Sequence, residues 1–213
     1  MATQLKAVRP AADPLDDMSL PGWLYHDAEF FEAEQAAFLR AAPQVVCHER
    51  EIASPGEWRS IEYLGESVIV IRGDDGAVRA FSNVCRHRGS RLVDGTGGCA
   101  KVLTCPYHAW SYARDGRLVG VPHRQEYPGL ETEQLGLKPV ALERWHGLLF
   151  VTLESGGPSV AEMMAPYEDE VALYRFEELQ VIGRVTIRPR PLTGRPSPTI
   201  IRTTSTSRSA IPA

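Results

Sequence analysis

No stretch of this chain stays apolar over the roughly 18 residues that a membrane span needs. The opening segment, MATQLKAVRPAADPLDDMSLPGW, has no apolar core and carries several acids, so no secretory signal is read there and the cytoplasm is the expected compartment. Cysteine is scarce, with only Cys47, Cys85, Cys99 and Cys105. In a reducing compartment these are read as ligands or core thiols rather than as two disulfides. Basic residues are not in excess: the net charge of −4 argues against nucleic acid as the main partner. No internal repeat is evident. The 43% apolar and 23% charged residues are ordinary for a globular chain. A length of 213 residues suits one domain, or one and a fraction.

Local patterns divide the chain. Residues 1–42 read as an extended arm followed by a helix over 26–41. Asp27 is the expected N-cap, and Phe30, Phe31, Ala37 and Phe38 fall near one face before Pro43 ends the helix. Over 43–155 the pattern changes to short apolar runs separated by turn residues. ESVIVIR and AVRAFS flank Asp74-Asp75-Gly76, AWSYA and RLVG flank Arg114-Asp115-Gly116, and KPVALERW and GLLFVTLE turn at His146-Gly147. Asp-Gly between two such runs predicts a hairpin, because glycine accepts the positive φ that the turn needs. The fold class expected is therefore mainly β, a small antiparallel domain with a helix before it and another after it, the latter over 159–176 and interrupted at Pro166.

The chemistry lies in two short segments. NVCRHRGSR carries Cys85-x-His87, and CPYHAW carries Cys105-x2-His108. Two thiols and two imidazoles on separate loops allow structural zinc, or a Rieske [2Fe-2S] centre in which one iron takes two Cys and the other two His. Coincidence of core thiols with surface histidines is the bland alternative. Zinc sites of Cys2His2 type usually pair Cys with Cys and His with His, whereas each loop here mixes the two. Mixed loops suit the iron–sulfur reading, since each can send its thiolate to one iron and its imidazole to the other. Cys47 and Cys99 have no ligand spacing, and His26, His48, His123 and His146 stand alone, so they are read as bystanders.

NVCRHRGSRL, CPYHAWSY and DGRL together resemble the Rieske domain of ring-hydroxylating, non-haem iron oxygenase α subunits, as do LPGWLYHDAEFFEAE before them and LKPVALERWHGLLFVTL after them. The resemblance covers roughly residues 20–186. It implies a [2Fe-2S] cluster held by Cys85, His87, Cys105 and His108. Replacing two thiolates by neutral imidazoles raises the potential, to roughly −150 to +300 mV against about −400 mV for all-cysteine clusters. Arg86 and Arg88 would favour the reduced state and dock an acidic electron donor, unless they pair with acids on a neighbouring element. Tyr107 and Trp110 are expected beside the cluster, limiting water. Ala109 departs from the more usual Gly. Ser90 and Tyr107 stand where respiratory Rieske proteins carry an extra, disulfide-forming cysteine.

The same resemblance implies electron delivery from an NAD(P)H/flavin reductase or a ferredoxin. It also implies a homotrimer or α3β3 assembly for the full-length form, and a mononuclear Fe(II) held by two His and a carboxylate in a C-terminal domain. Residues 156–186 read as the start of that domain. Beyond them His is absent and the 187–213 tail has no acid, so this chain is expected to lack the mononuclear site. The tail, rich in Arg, Pro, Thr and Ser, is expected to be either disordered or out of frame. Read one base late, Gly194, Arg195, Thr199, Ile200, Ile201, Thr203, Thr206, Ile211 and Pro212 all admit the residues that family members carry there. The function expected is the electron-transfer portion of an oxygenase α subunit. A stand-alone Rieske ferredoxin and a zinc-stabilised binding module are the alternatives.

Overall fold

The computed structural model describes residues 22–99 and 101–183; the expected tail, in frame or out of it, lies outside them, as does most of the N-terminal arm. Among the described residues ten short strands make two antiparallel sheets. Along the chain they are β1 (Gln44–His48), β2 (Glu57–Tyr63), β3 (Glu66–Arg72), β4 (Val78–Ser82), β5 (Thr96–Gly98), β6 (Val102–Thr104), β7 (Ser111–Ala113), β8 (Leu118–Gly120), β9 (Pro139–Trp145) and β10 (Leu148–Thr152). The larger sheet runs β1-β10-β9-β4-β3-β2-β5, and the smaller runs β6-β7-β8. Helix α1 (Ala28–Glu34) precedes them, and α2 (Val160–Met164) and α3 (Glu168–Ala172) come after. No helix among the described residues is long and apolar enough to cross a membrane.

Strand β3 shows why the sheet sits where it does. In SVIVI successive side chains point to opposite faces. Ile69 and Ile71 enter one core with Trp58, Phe81, Leu103, Trp110 and Tyr112, and Val68 and Val70 enter a second with Val46, Ile52, Leu149 and Val151. All four β3 residues are essentially fully buried, so this strand is the spine between two hydrophobic layers. The predicted hairpins form as expected. Gly76 and Gly116 take φ of 76° and 89°, while His146 and Gly147 both take positive φ, as the tightest two-residue hairpin turn demands. Arg114, in the β7–β8 turn, joins the two Asp-Gly tips by pairing with Asp74 of the β3–β4 turn and donating to the Cys99 carbonyl at 2.8 Å.

The helices differ in detail from expectation. Asp27 does cap α1, accepting from the Phe30 N–H at 2.7 Å. The helix gives way to a wider π turn at Gln35–Leu39, however, and neither segment buries a residue; Phe38 is exposed. The expected apolar face is thus not part of either core. The 159–176 segment is helical and broken around Pro166 as expected, and it starts with a capping box between Ser159 and Glu162.

Asn83 ties the sheet to the loop that leaves β4. It is fully buried, its amide donates to Ser67 Oγ (3.0 Å) and the Val93 carbonyl (2.7 Å), and its Oδ1 accepts from the Val93 N–H (3.1 Å). These bonds pinch residues 83 and 93 together and define the base of the loop between them. Asn83→Ala would leave both backbone groups of Val93 unsatisfied, which costs on the order of 2–3 kcal/mol. Guanidinium denaturation should show that loss, and a loss below about 0.5 kcal/mol would mean that the pinch is not structural.

Candidate metal centre

Two loops built to one pattern face each other across the first core. In the loop leaving β4, the Cys85 N–H donates to the Ser90 carbonyl (2.8 Å) and the Gly89 N–H donates to the Cys85 carbonyl (3.0 Å). In the loop joining β6 to β7, the Cys105 N–H donates to the Trp110 carbonyl (2.8 Å) and the Ala109 N–H to the Cys105 carbonyl (3.0 Å). Both loops turn at the fifth residue of the motif in the left-handed region, Gly89 at φ 71° and Ala109 at φ 56°. Glycine adopts that conformation freely, while alanine meets its Cβ penalty of about 1–2 kcal/mol there. The Gly-to-Ala departure therefore falls at the one loop position where the backbone favours glycine. Val84 bridges Arg91 to close the first loop, and Thr104 Oγ1 meets Ser111 Oγ at 3.0 Å to close the second.

This shared geometry sends sulfur inward and imidazole outward. Cys85 and Cys105 are 3% and 2% exposed and belong to the apolar core, whereas His87 and His108 are half-buried with ring centroids 4.7 Å apart. Among the described residues no three His, Cys, Asp or Glu side chains gather as one mononuclear ion would require. The four groups divide instead into a sulfur pair and an imidazole pair. Trp110, buried, stacks parallel on His87 with centroids 4.7 Å apart and planes 8° apart. Tyr107 lies over His108 at 3.7 Å but is itself 60% exposed, so it covers that ring from the solvent side without entering the core.

The local electrostatics suit a metal. Burial, reinforced by His108 and Arg88, lowers the pKa of His87 and keeps its imidazole neutral, the form that binds metal. Burial opposes ionisation of Cys105, yet the Tyr107 and His108 backbone N–H groups, with the Cys85 and Ser90 side chains, outweigh it and bring the thiol below its ordinary value. The Nδ1 of His87 is buried with no hydrogen-bond partner. A buried imidazole nitrogen in that state carries a desolvation penalty that an iron–nitrogen bond would remove. The donor set, two sulfurs and two nitrogens, also fits a Rieske cluster.

Tyr112, which motif reading did not single out, is the further contact to the sulfurs. It is fully buried; its oxygen accepts from the Arg86 N–H (2.9 Å) and lies 3.2 Å from Cys85 Sγ. Either atom can donate while Cys85 is a thiol; against a metal-bound thiolate, which has no proton, the hydroxyl would be the donor. Burial and that contact raise the phenol's pKa, so it stays a donor. Neither Arg86 nor Arg88 makes an ion pair among the described residues. No disulfide joins the cysteines; Cys47 is buried in the second core and Cys99 is half-buried at the edge of the first.

Residues 42–138 match the family described as the Rieske [2Fe-2S] domain, and the cluster is implied by that match. The oxygenase subunit of carnitine monooxygenase from Escherichia coli (strain K12) is 32% identical over 179 residues, covering 83% of this chain and 48% of that protein. The α subunit of 2-aminobenzenesulfonate 2,3-dioxygenase from Alcaligenes sp. is 36% identical over 162 residues, covering 74% and 41% respectively. The apo crystal structure of a quaternary ammonium Rieske monooxygenase superposes with a TM-score of 0.73 at 28% identity, over 79% of this chain and 50% of that one. The chain thus carries a Rieske domain, specifically the Rieske domain of an oxygenase α subunit. It spans about half the length of the curated relatives it matches.

If Cys85 holds the cluster, its sulfur gains negative charge on reduction, and removing the Tyr112 hydroxyl 3.2 Å away should disfavour the reduced state. Tyr112→Phe is expected to lower the midpoint potential by roughly 40 mV, taking about 1 kcal/mol for the hydrogen bond and 59 mV per tenfold for one electron. Voltammetry of the variant, with an unchanged visible spectrum as control, makes the measurement; an unmoved potential would remove Tyr112 from the tuning.

Proposed function

We propose that this chain relays electrons one at a time, from a flavin-containing NAD(P)H reductase or a ferredoxin toward the mononuclear iron of an oxygenase. The observation that carries the reading is the division of the four donors, with sulfurs sealed in the core and imidazoles near the surface beside two arginines that make no ion pair among the described residues. In this reading Cys85 and Cys105 hold one iron and His87 and His108 the other. When bound, the cluster supplies a reversible one-electron couple. The protein's own residues do the rest. Trp110 and the buried β7 face keep water from the sulfur side, and Tyr107 shields His108 at the surface. The Tyr112 hydroxyl and the Tyr107 and His108 N–H groups favour added negative charge at the sulfurs. The cytoplasm, where thiols stay reduced, is the compartment proposed for this chain.

Docking of the donor is assigned to the face around Arg86 and Arg88. Both flank His87, and uncompensated positive charge steers an acidic partner and favours the reduced state. The oxygenation step, its substrate and the trimeric or α3β3 assembly belong to the full-length form. Relatives at comparable identity are named for a quaternary ammonium compound in one case and an aromatic sulfonate in the other, so the Rieske portion does not choose between them.

Stopped-flow reduction by a ferredoxin or reductase tests the assignment. The Arg86→Glu/Arg88→Glu pair should retain the cluster's absorption yet accept electrons at least tenfold more slowly at low ionic strength, with the difference shrinking as salt screens it. An unchanged, salt-independent rate would place the donor elsewhere.

A further inference from the structure

Beyond α2, whose Val160 is buried, the segment after the sheet is held mostly by polar contacts, with Phe176 half-buried beside Trp145. Neither α3 nor the short 3-10 turn Phe176–Glu178 buries a residue, and Leu173 and Tyr174 are 80% and 62% exposed. What fastens these elements is a set of groups at one end of the sheet. His48 meets the Phe176 carbonyl through Nε2 at 3.0 Å. Its Nδ1 accepts from the Arg50 N–H at 3.2 Å, so the proton sits on Nε2 and the ring is a neutral donor. Arg50 donates to the Glu178 carbonyl at 3.0 Å, and Trp145 Nε1 donates to Glu168 Oε2 at 3.3 Å. Gly147 permits the approach, since a Cβ there would stand 2.6 Å from His48 Nε2.

At the centre is His146, in the β9–β10 turn. Its Nε2 lies 2.6 Å from Glu168 Oε1 of α3, and its Nδ1 lies 3.5 Å from Glu177 Oε2 of the 3-10 turn beyond α3. A neutral imidazole carries one N–H and one lone pair. It can donate to one of these carboxylates, but it then turns its lone pair on the other. Only the imidazolium donates to both. The remaining charges nearby do not substitute for it: Arg175 pairs with Glu178, and Arg144, on the neighbouring strand, pairs with Glu49.

We propose that His146 is a protonation-controlled latch that holds residues 168–179 against the β9–β10 turn by bridging Glu168 and Glu177. These residues lead on from the domain that carries the two ligand loops, so the latch governs how firmly the onward chain is held to that domain. The contact with Glu168, helped by Glu177, sets the His146 pKa above that of an ordinary histidine. Linkage then fixes the sign. The latch is complete below about pH 6.5, the usual histidine value, and is lost as pH rises through the raised one.

Hydrogen exchange on the purified, cluster-containing chain reads the latch directly in peptides covering 168–179. After correction for intrinsic exchange, protection there should fall by about two- to fivefold between mildly acid and mildly alkaline pH, the range of an exposed ion pair. Protection elsewhere in the domain should stay level. His146→Gln should be poorly protected at every pH, and Glu168→Gln should lower the midpoint of the His146 ring titration seen by NMR. A flat wild-type profile, a pH dependence that survives His146→Gln, or an unmoved midpoint in Glu168→Gln would each overturn the proposal.

Discussion

Cys85 and Cys105 are buried in an apolar core, and as the proposed iron ligands they would carry negative charge there, which the surrounding residues have to make tolerable. A buried anion without donors is strongly disfavoured. Each candidate ligand loop folds back so that its i+4 N–H and i+5 carbonyl bond to the cysteine's own backbone carbonyl and N–H. The loop is thereby rigid, and further N–H groups from Tyr107 and His108 are left facing the Cys105 sulfur. Tyr112 adds a hydroxyl from the floor of the site. The same fold-back throws the histidines outward, so one piece of local geometry produces both halves of the donor set.

That geometry depends on the two sheets being held together. β3 is buried on both faces and gives the larger sheet its axis; Asn83 pinches the first loop at its base, and Arg114 binds the two hairpin tips. The sulfurs lie in the core these devices define, while the imidazoles lie at its edge beside an aromatic pair of opposite exposure. Trp110 is packed inside and Tyr107 is open to solvent. In the proposed reading an electron would enter at the half-buried histidine side, while the sulfur side is buried.

Much of this was legible in the residues themselves. The Cys-x-His and Cys-x2-His loops, the Asp-Gly and His-Gly turns and the helix broken near Pro166 all come from spacing and turn chemistry. Less was visible where the signal is short or the burial is tertiary. Strands β5 and β6 are only three residues long, and β5 is Thr-Gly-Gly, with no apolar pattern to read. Arg59 breaks the pattern of β2 because it is buried beside Glu51, a pairing that only the fold reveals. Phe38 falls near one face of the expected helix with Phe30, Phe31 and Ala37, but the helix widens to a π turn and leaves it exposed. Tyr112 was missed because it lies 27 residues from the sulfur it touches, and His146 because its two carboxylates lie on later elements. Tyr112, at the end of the CPYHAWSY run, was the one such signal within a motif.

The central claim is that the four donors bind two chemically unlike irons, one by sulfur and one by nitrogen. Electron–nuclear double resonance on the reduced, isotopically labelled protein measures this most directly. The account predicts two histidine nitrogens coupled to one iron, both couplings abolished by replacing His87 and His108, with two irons and two sulfides per chain. Couplings from fewer than two histidines, or a chain isolated with zinc and no sulfide, would contradict it.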